Sequence, residues 1–269
     1  MTHLPDGAPP AEVVAAFGGA GEPVWLGGAW RAGPVVLKPV TFPPETLWRA
    51  EVLASLPESP EFRFARPVEA SGGGWTVQGW EASTLVAGEP DVRRPDDALR
   101  VGAAFHAAVA HLPRPAFLDD RDDPWTQGDR AAWEERPVTP DPAGLLEPLV
   151  RARRPIGLPS QAVHGDLAGN VLFAPGLPPA IIDWPVYWRP AGWASAVTVV
   201  DALCWYGAEP ALAARWAHLP EWGQLLIRAL IYRIVTDQVL LGGDAWTRDR
   251  VAAYRPVVGL AVTCAQHPA

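Results

Sequence analysis

Cysteine and lysine are both scarce in this chain. The two cysteines among its 269 residues, Cys204 and Cys264, form no C-x-x-C and no metal-ligand spacing. That argues against a disulfide framework and a zinc-ribbon site, and reduced thiols are the expectation. Charged residues make up 19% of the chain and hydrophobic ones 49%, too apolar a balance for a disordered polypeptide. Long apolar runs are missing as well. Proline and glycine interrupt the longest uncharged stretches, so no membrane span is expected. Met1 to Pro10 has no basic start and no apolar stretch, so no signal peptide is expected and a cytoplasmic location follows. A basic excess is also lacking. The formal net charge is −8, which counts against nucleic acid or anionic membrane as a partner and leaves room for a cationic ligand. No internal repeat of useful period is visible.

Of the 22 basic residues, Lys38 is the only lysine. In an arginine-rich composition a single lysine marks a place where a compact ammonium serves and a planar guanidinium does not. Lys38 closes the run Pro34-Val-Val-Leu-Lys38, which reads as a strand. A helix is expected over Pro43 to Leu56, with prolines at its start, where they are tolerated. On that helix Glu51 follows Leu47 and Trp48 at i−4 and i−3, which places it beside the apolar face. Glu45 and Arg49 are expected to pair with each other. Upstream, Glu22 to Gly33 reads as a hairpin turning at Gly27-Gly28. Two glycines there permit a tight turn and a close backbone approach to a phosphate, although no G-x-G-x-x-G is present. Arg63 to Val68 and Gly74 to Trp80 read as a further hairpin turning at Ser71 to Gly74, followed by a hinge at Gly79 to Ala82.

The stretch Val163 to Trp184 is the densest in chemistry. It contains H-G-D-L-A-G-N (His164 to Asn170), an apolar arm Val171 to Ala174, a Pro/Gly turn and a second arm Ala180 to Ile182 leading into Asp183-Trp184. A hairpin of the two arms brings Asn170 and Asp183 to one edge. A carboxylate and an amide so placed are the hard oxygen donors that Mg²⁺ takes, with the rest of its ligands from phosphate and water. Asp166 lies close enough to orient a hydroxyl there.

Elsewhere the pattern is helical. Spans are expected at Ala11 to Phe17, Asp96 to Leu112, Trp125 to Glu135, Pro142 to Arg154, Trp193 to Gly207, Glu209 to Leu219, Glu221 to Leu241 and Thr247 to Gln266, the last carrying Pro256. Trp184 to Gly192 reads as irregular. His106 and His164 read as packed core histidines. Asp201 is the only charge between Pro190 and Ala208, and a carboxylate in so apolar a helix costs several kcal/mol unless it is paired or hydrogen-bonded. Arg233 and Asp237 read as an i, i+4 pair. The acidic loop Leu118 to Asp123 reads as solvated.

H-G-D-L-x-x-N followed by I-I-D-W resembles the aminoglycoside phosphotransferase family, small-molecule kinases related to the protein kinases, in which H-R-D-L-x-x-x-N and D-F-G take the same roles. This chain has one residue fewer between Asp166 and Asn170 than the family usually shows, as an actinobacterial subgroup does. The resemblance implies an α+β, protein-kinase-like fold of two lobes. An N-terminal nucleotide-binding lobe over residues 1–81 would hold a small antiparallel sheet and one main helix. A larger helical lobe over 82–269 would hold the catalytic loop and the acceptor site. ATP would be the phosphate donor and Mg²⁺ the metal. Lys38 would neutralise phosphate charge with Glu51 holding it, and Gly27 and Gly28 would lie over the nucleotide. Asn170 and Asp183 would hold the metal, and Asp166 would orient the acceptor hydroxyl and take its proton. Asp201 would accept hydrogen bonds from the backbone of the catalytic loop. The acceptor would be a small hydroxylated molecule: an aminoglycoside, a sugar or another metabolite. Two other readings stay open, a nucleotide-binding pseudokinase without transfer activity and a metal-dependent phosphoester hydrolase using Asp166, Asn170 and Asp183.

Overall fold

A computed structural model describes residues 7–267. Of the N-terminal stretch read above, residues 1–6 lie outside the described residues. In chain order the elements are α1 (Ala11–Ala16), β1 (Val24–Trp25), β2 (Trp30–Ala32), β3 (Val35–Pro39), α2 (Pro43–Ser55), β4 (Arg63–Phe64), β5 (Thr76–Val77), β6 (Trp80–Thr84) and β7 (Glu89–Pro90). Then come α3 (Pro95–Val109), a 3₁₀ turn (Ala116–Asp119), α4 (Pro124–Ala132), α5 (Leu146–Ala152), β8 (Gln161–His164), β9 (Val171–Phe173), β10 (Ala180–Ile181) and β11 (Val186–Arg189). The chain ends in α6 (Ala191–Trp205), α7 (Ala211–Arg215), α8 (Trp222–Leu241), a second 3₁₀ turn (Gly242–Trp246) and α9 (Arg248–Gln266). Prolines stand in the first turn of α2, α3 and α4, where a missing N–H costs nothing. Asp123 caps α4 by accepting from Thr126 N at 2.7 Å, so one member of the acidic loop has a definite structural task.

The chain divides into two compact units, and the division is not a single cut. The first comprises the described residues up to Pro90, together with Pro115–Asp119 and Val171–Trp184. Its larger sheet is antiparallel in the order β1-β2-β3-β6-β5. Val13 and Val14 of α1 and Phe17 just after it pack with Leu37, Trp80 and Ala82 of that sheet. A second sheet runs β4-β10-β9-β7, so the hairpin of β9 and β10 is sewn to strands from the N-terminal part of the chain.

Two expectations in this unit are corrected. The chain does turn at Ser71 to Gly74, where Ala70 N donates to Gly74 O at 2.9 Å and Gly73 N to Ala70 O at 2.8 Å, but the second arm expected over Gly74 to Trp80 is broken by a further turn at Gln78-Gly79 into β6. Both residues have positive φ, 48° and 78°, and Val77 pairs with Trp80, the geometry of a two-residue hairpin turn that follows the twist of its strands. For the same reason Gly79 to Ala82 is not a hinge. Trp80 is 1% exposed and Glu81 stands opposite Lys38 in the β3–β6 ladder. Trp80 and Ala82 face the core, and a strand whose alternate residues are buried in this way cannot serve as a flexible joint.

The second unit comprises Asp91–Arg114, Asp120–Asn170 and Pro185 to the end of the described residues. It is helical around α8, against which α4, α6 and α9 pack. Its one small sheet pairs β11 with β8, Val186 opposite His164 and Arg189 opposite Gln161, where the sequence reads as irregular. Val186 and Tyr187 are buried, and the aromatic run finds its partner strand only in three dimensions. The span expected over Pro142 to Arg154 shortens to α5 because Asp141 receives Leu145 N at 3.0 Å and Leu146 N at 2.7 Å, which caps the helix late. Among the described residues no helix is long and apolar enough to cross a membrane.

Gly128 on α4 sets the distance to α8. A Cβ there would fall 2.3 Å from Thr236 Oγ1 and 2.5 Å from the Tyr232 carbonyl oxygen. Gly128→Ala is therefore expected to destabilise the protein by about 1–3 kcal/mol, the usual cost of overpacking, as read from the midpoint of a urea unfolding curve.

Candidate active site

In the first unit, Lys38 extends from β3 to Asp183, and its Nζ donates to Asp183 Oδ1 at 2.5 Å. The two residues are 145 apart in sequence. Both side chains keep access to water, at 35% and 47% exposure. Asp183 itself has φ = +50°, a left-handed conformation that costs an L-residue about 1–2 kcal/mol and that Asp tolerates better than most. The next residue, Trp184, is 2% exposed and packs edge-on against Trp48 of α2, ring centroids 5.6 Å apart. Trp48 in turn meets Phe117.

Glu51 does not hold Lys38. It is exposed, and among the described residues its carboxylate enters no ion pair. The helix is rotated so that Thr46 and Ala50 are buried, with Arg49 and Leu53 half-buried beside them. Leu47, 41% exposed, lies on the outer face with Glu51, one turn away. The charge that α2 turns inward is Arg49. Its Nη2 donates to both oxygens of Glu81, at 2.6 and 2.7 Å, and its Nη1 to the Trp184 carbonyl at 3.3 Å. Burial works to lower the Arg49 pKa, but the charges of Glu81 and Glu45, the Glu81 hydrogen bonds and the charge of Asp183 outweigh it, and the net shift is upward. Arg49 and Glu81 are functional candidates that sequence reasoning missed. The spacing of Thr46, Arg49, Ala50 and Leu53 on one face held part of the signal, but nothing local placed Glu81 opposite Lys38.

Gly27 and Gly28 form the turn between β1 and β2, with φ of +85° and +157°, and Leu26 N donates to Ala29 O at 2.9 Å. A Cβ at either glycine would meet nothing within 4 Å. The first glycine is required by its backbone angle and not by crowding.

In the second unit, β8 delivers His164-Gly165-Asp166 into a short loop. Asn170 N donates to the Leu167 carbonyl at 3.0 Å, and Gly169 has φ = +82°. Leu167 to Asn170 is thus a β-turn of the kind that needs positive φ at its third residue. Gly165 is demanded by crowding: a Cβ there would lie 2.3 Å from the Tyr187 ring. Asn170 Nδ2 donates to the Asp166 carbonyl at 2.7 Å and to Asp166 Oδ2 at 3.3 Å, so the amide's oxygen end points away from that carbonyl.

Two histidines fix the start of the loop. His106 Nε2 accepts from His164 N at 3.0 Å, and His164 Nδ1 accepts from Asp166 N at 3.1 Å. Both rings are buried, as expected for core histidines. Burial, with a smaller contribution from the charge of His164, pushes His106 down to about 3.

Asp201 reaches the loop differently from expectation. Its carboxylate is bound in a two-point pair by Arg233, whose Nε donates to Oδ1 at 2.8 Å and whose Nη2 donates to Oδ2. The same Nη2 donates to Asp166 Oδ1 at 2.6 Å. Asp201 thus acts through a guanidinium and not on the loop backbone. Arg233 consequently does not pair with Asp237, which takes Arg250 at 2.5 Å and the Tyr254 hydroxyl at 2.8 Å. A buried carboxylate that offers both oxygens outcompetes an i, i+4 neighbour on the same helix. Burial lowers the Arg233 pKa, but the charges of Asp201, Tyr232 and Asp166 raise it well above its ordinary value. Burial raises Asp201, with Arg233 opposing.

Among the described residues no group of three or more His, Cys, Asp or Glu could hold a metal. Asp183, in the first unit, offers a partly exposed carboxylate, and Asn170, in the second, an amide whose nitrogen is taken up by Asp166; each is a hard oxygen donor of the kind that Mg²⁺ takes beside water and phosphate.

Neither a protein-family model nor a curated protein sequence matches the chain. Solved structures do. An aminoglycoside phosphotransferase from Alicyclobacillus acidocaldarius superposes with a TM-score of 0.62 at 17% identity, over 97% of each chain. A spectinomycin phosphotransferase, solved with ADP and spectinomycin, gives 0.57 at 13% identity over 91% of this chain and 93% of that one. A choline/ethanolamine kinase family protein from Mesorhizobium loti gives 0.52 at 19% identity over 96% and 94%. The chain therefore has the α+β, protein-kinase-like fold. Within that fold it is similar to aminoglycoside phosphotransferases and to a choline/ethanolamine kinase family protein.

Neutral His106 carries a pH signature. Its folded value lies below the ordinary 6.5, so the unfolded chain takes up a proton that the folded chain refuses as the pH falls from about 6.5 toward 3. Stability conferred by the neutral ring is complete above that window and lost within it, at about 1.4 kcal/mol per pH unit. Chemical unfolding between about pH 6 and 4.5 is expected to show a slope steeper by about one proton for the wild type than for His106→Gln.

Proposed function

We propose that this chain is an ATP- and Mg²⁺-dependent phosphotransferase that moves the γ-phosphate to a hydroxyl of a small molecule. The observation that carries the reading is the meeting of the chain's one lysine with the aspartate of I-I-D-W, Lys38 Nζ to Asp183 Oδ1 at 2.5 Å across 145 residues. A structural ion pair at that exposure is worth only about 0–1 kcal/mol, too little to offset the roughly 1–2 kcal/mol that the left-handed backbone of Asp183 costs. The fold is in keeping with it, and similar structures are described with ADP, AMP or AMP-PNP and with spectinomycin or hygromycin B.

Each residue then has a task. Lys38 leaves Asp183 for the phosphates and neutralises their charge. Asp183 and the Asn170 amide oxygen hold the metal. Mg²⁺, when bound, offsets charge on the phosphate oxygens during transfer. Asp166 accepts the hydrogen of the acceptor hydroxyl, orients it and takes its proton. Arg233 and Asn170 hold the Asp166 carboxylate in one orientation, and its remaining lone pairs stay available to a hydroxyl. Positioning and charge neutralisation are the main needs of phosphoryl transfer. Gly27 and Gly28 leave the β1–β2 turn open to a phosphate, and the helical unit supplies the acceptor's contacts. The acceptor is a hydroxylated metabolite such as an aminoglycoside or a sugar, and the setting is cytoplasmic.

One observation favours a second reading, a nucleotide-binding protein without transfer. Arg233 already occupies Asp166 Oδ1 at 2.6 Å. The two readings part in one experiment. ATP·Mg²⁺ is expected to raise the melting temperature in both, and a γ-phosphate transfer screen over hydroxylated metabolites yields product only in the first. Asp166→Ala is expected to lower transfer by about 10²–10⁴, the usual worth of a general base, while the nucleotide-induced thermal shift survives. Absence of any nucleotide shift in the wild type would overturn both readings.

A further inference from the structure

The first unit contains a ring of charge that the Lys38–Asp183 pair alone does not account for. Lys38 and Glu81 are direct cross-strand partners in the β3–β6 ladder, which sets their Cβ atoms about 5 Å apart. Glu81 takes a two-point hydrogen bond from Arg49. Arg49 donates onward to the Trp184 carbonyl, and Trp184 follows Asp183, which receives Lys38. The path closes on itself: Lys38, Glu81, Arg49, Trp184, Asp183, Lys38. Consecutive residues of α2 grip the same point, Trp48 by its ring on the Trp184 indole and Arg49 by its guanidinium on the Trp184 carbonyl.

The point they grip is the one that needs holding. Asp183 is in the left-handed region, and a residue in such a conformation persists only where its surroundings over-determine it. The carbonyl that Arg49 holds belongs to the peptide just after the strained residue. Lys38 holds its side chain. Glu81 keeps Arg49 from turning to solvent, since the Arg49 and Glu81 side chains are only 17% and 21% exposed. A surface brace between helix and sheet would need the Arg49–Glu81 pair but not the third bond to a carbonyl 135 residues away.

We propose that Arg49 is a positioning residue for Asp183: anchored by Glu81, it holds the Asp183-Trp184 turn so that the Asp183 carboxylate is presented to the magnesium of a bound Mg·nucleotide. The proposal rests on the metal-holding role read for Asp183 above. In this chain Glu81 of the strand is taken up by Arg49 of the helix. Lys38 is thereby left to Asp183 and free to change partner when phosphate arrives.

Isothermal titration of ATP with and without Mg²⁺ tests this. In the wild type, magnesium is expected to tighten ATP binding. In Arg49→Ala the magnesium-free affinity is expected to stay within about twofold, while the gain from magnesium falls by about 10–100-fold, the range that loss of a metal ligand's supporting partner produces. Arg49→Lys keeps the charge and the stem but cannot make the forked pair and the carbonyl bond together. It serves if the alanine variant does not fold, and a clear part of the same loss is expected. Glu81→Gln, which loosens the anchor and leaves the metal-side groups untouched, is expected to shift the magnesium gain in the same direction. A merely structural brace would lower the melting temperature and leave the gain from magnesium intact, and that result in a folded variant overturns the positioning role alone. A wild type that binds no nucleotide overturns the reading of Asp183 and this proposal with it.

Discussion

A carboxylate held in a left-handed turn is the constraint around which the first unit is arranged. Asp183 ends a hairpin whose second arm runs parallel to β4 and antiparallel to β9. Its side chain meets Lys38, and the carbonyl after it meets Arg49. None of these contacts is strong by itself. The Lys38 pair is half open to water, and such pairs contribute little stability. Their effect is geometric, since together they leave the turn few alternatives. The tryptophan that follows contributes the apolar part of the hold, buried against Trp48 and through it Phe117.

The second unit solves a different problem, that of holding charge inside an apolar helical body. Asp201 and Arg233 are almost excluded from water, at 6% and 13% side-chain exposure. Removing one member of such a pair costs roughly 3–5 kcal/mol, because the other is left buried and uncompensated. The guanidinium has donors to spare after binding Asp201, and one of them reaches Asp166, whose side chain is 42% exposed. An interior ion pair thereby orients a carboxylate at the surface. The backbone of the same loop is held from the other side by His106 and His164, and its compact turn depends on Gly165 yielding space to Tyr187.

Much of the fold was legible along the chain because it is encoded locally. The helical spans, the strand ending at Lys38 and the hairpin between Asn170 and Asp183 follow from apolar spacing and turn residues within a window of a dozen positions. The lone lysine, the H-G-D-L-x-x-N loop and the solitary charge at Asp201 could be singled out for the same reason: each is conspicuous against its immediate neighbours. The misreadings share a cause. For Glu51, Arg49 and Glu81 the deciding matter is which way each side chain points. On a helix each residue is turned about 100° from the last, so Glu51 and Arg49, two residues apart, face nearly opposite ways, and placing the buried stripe on Leu47 in place of Thr46 and Ala50 exchanges one for the other. On a strand the same exchange follows from register. Gln78-Gly79 turns the chain into β6, whose pairing with β3 puts Glu81 opposite Lys38 and takes the expected hinge into the sheet.

The amino-acid sequence by itself determined which chemical groups are present, in what order, and on which kinds of local element. It also determined that a buried carboxylate at 201 must be paired or hydrogen-bonded. Only the tertiary structure decided the partners: Asp183 for Lys38, Glu81 and the Trp184 carbonyl for Arg49, Arg233 for Asp201 and Asp166. The physical reason is that these pairings join residues from tens to more than a hundred positions apart. Among several groups of equal charge, the choice falls to the one that helix rotation, strand register and burial bring within hydrogen-bonding distance.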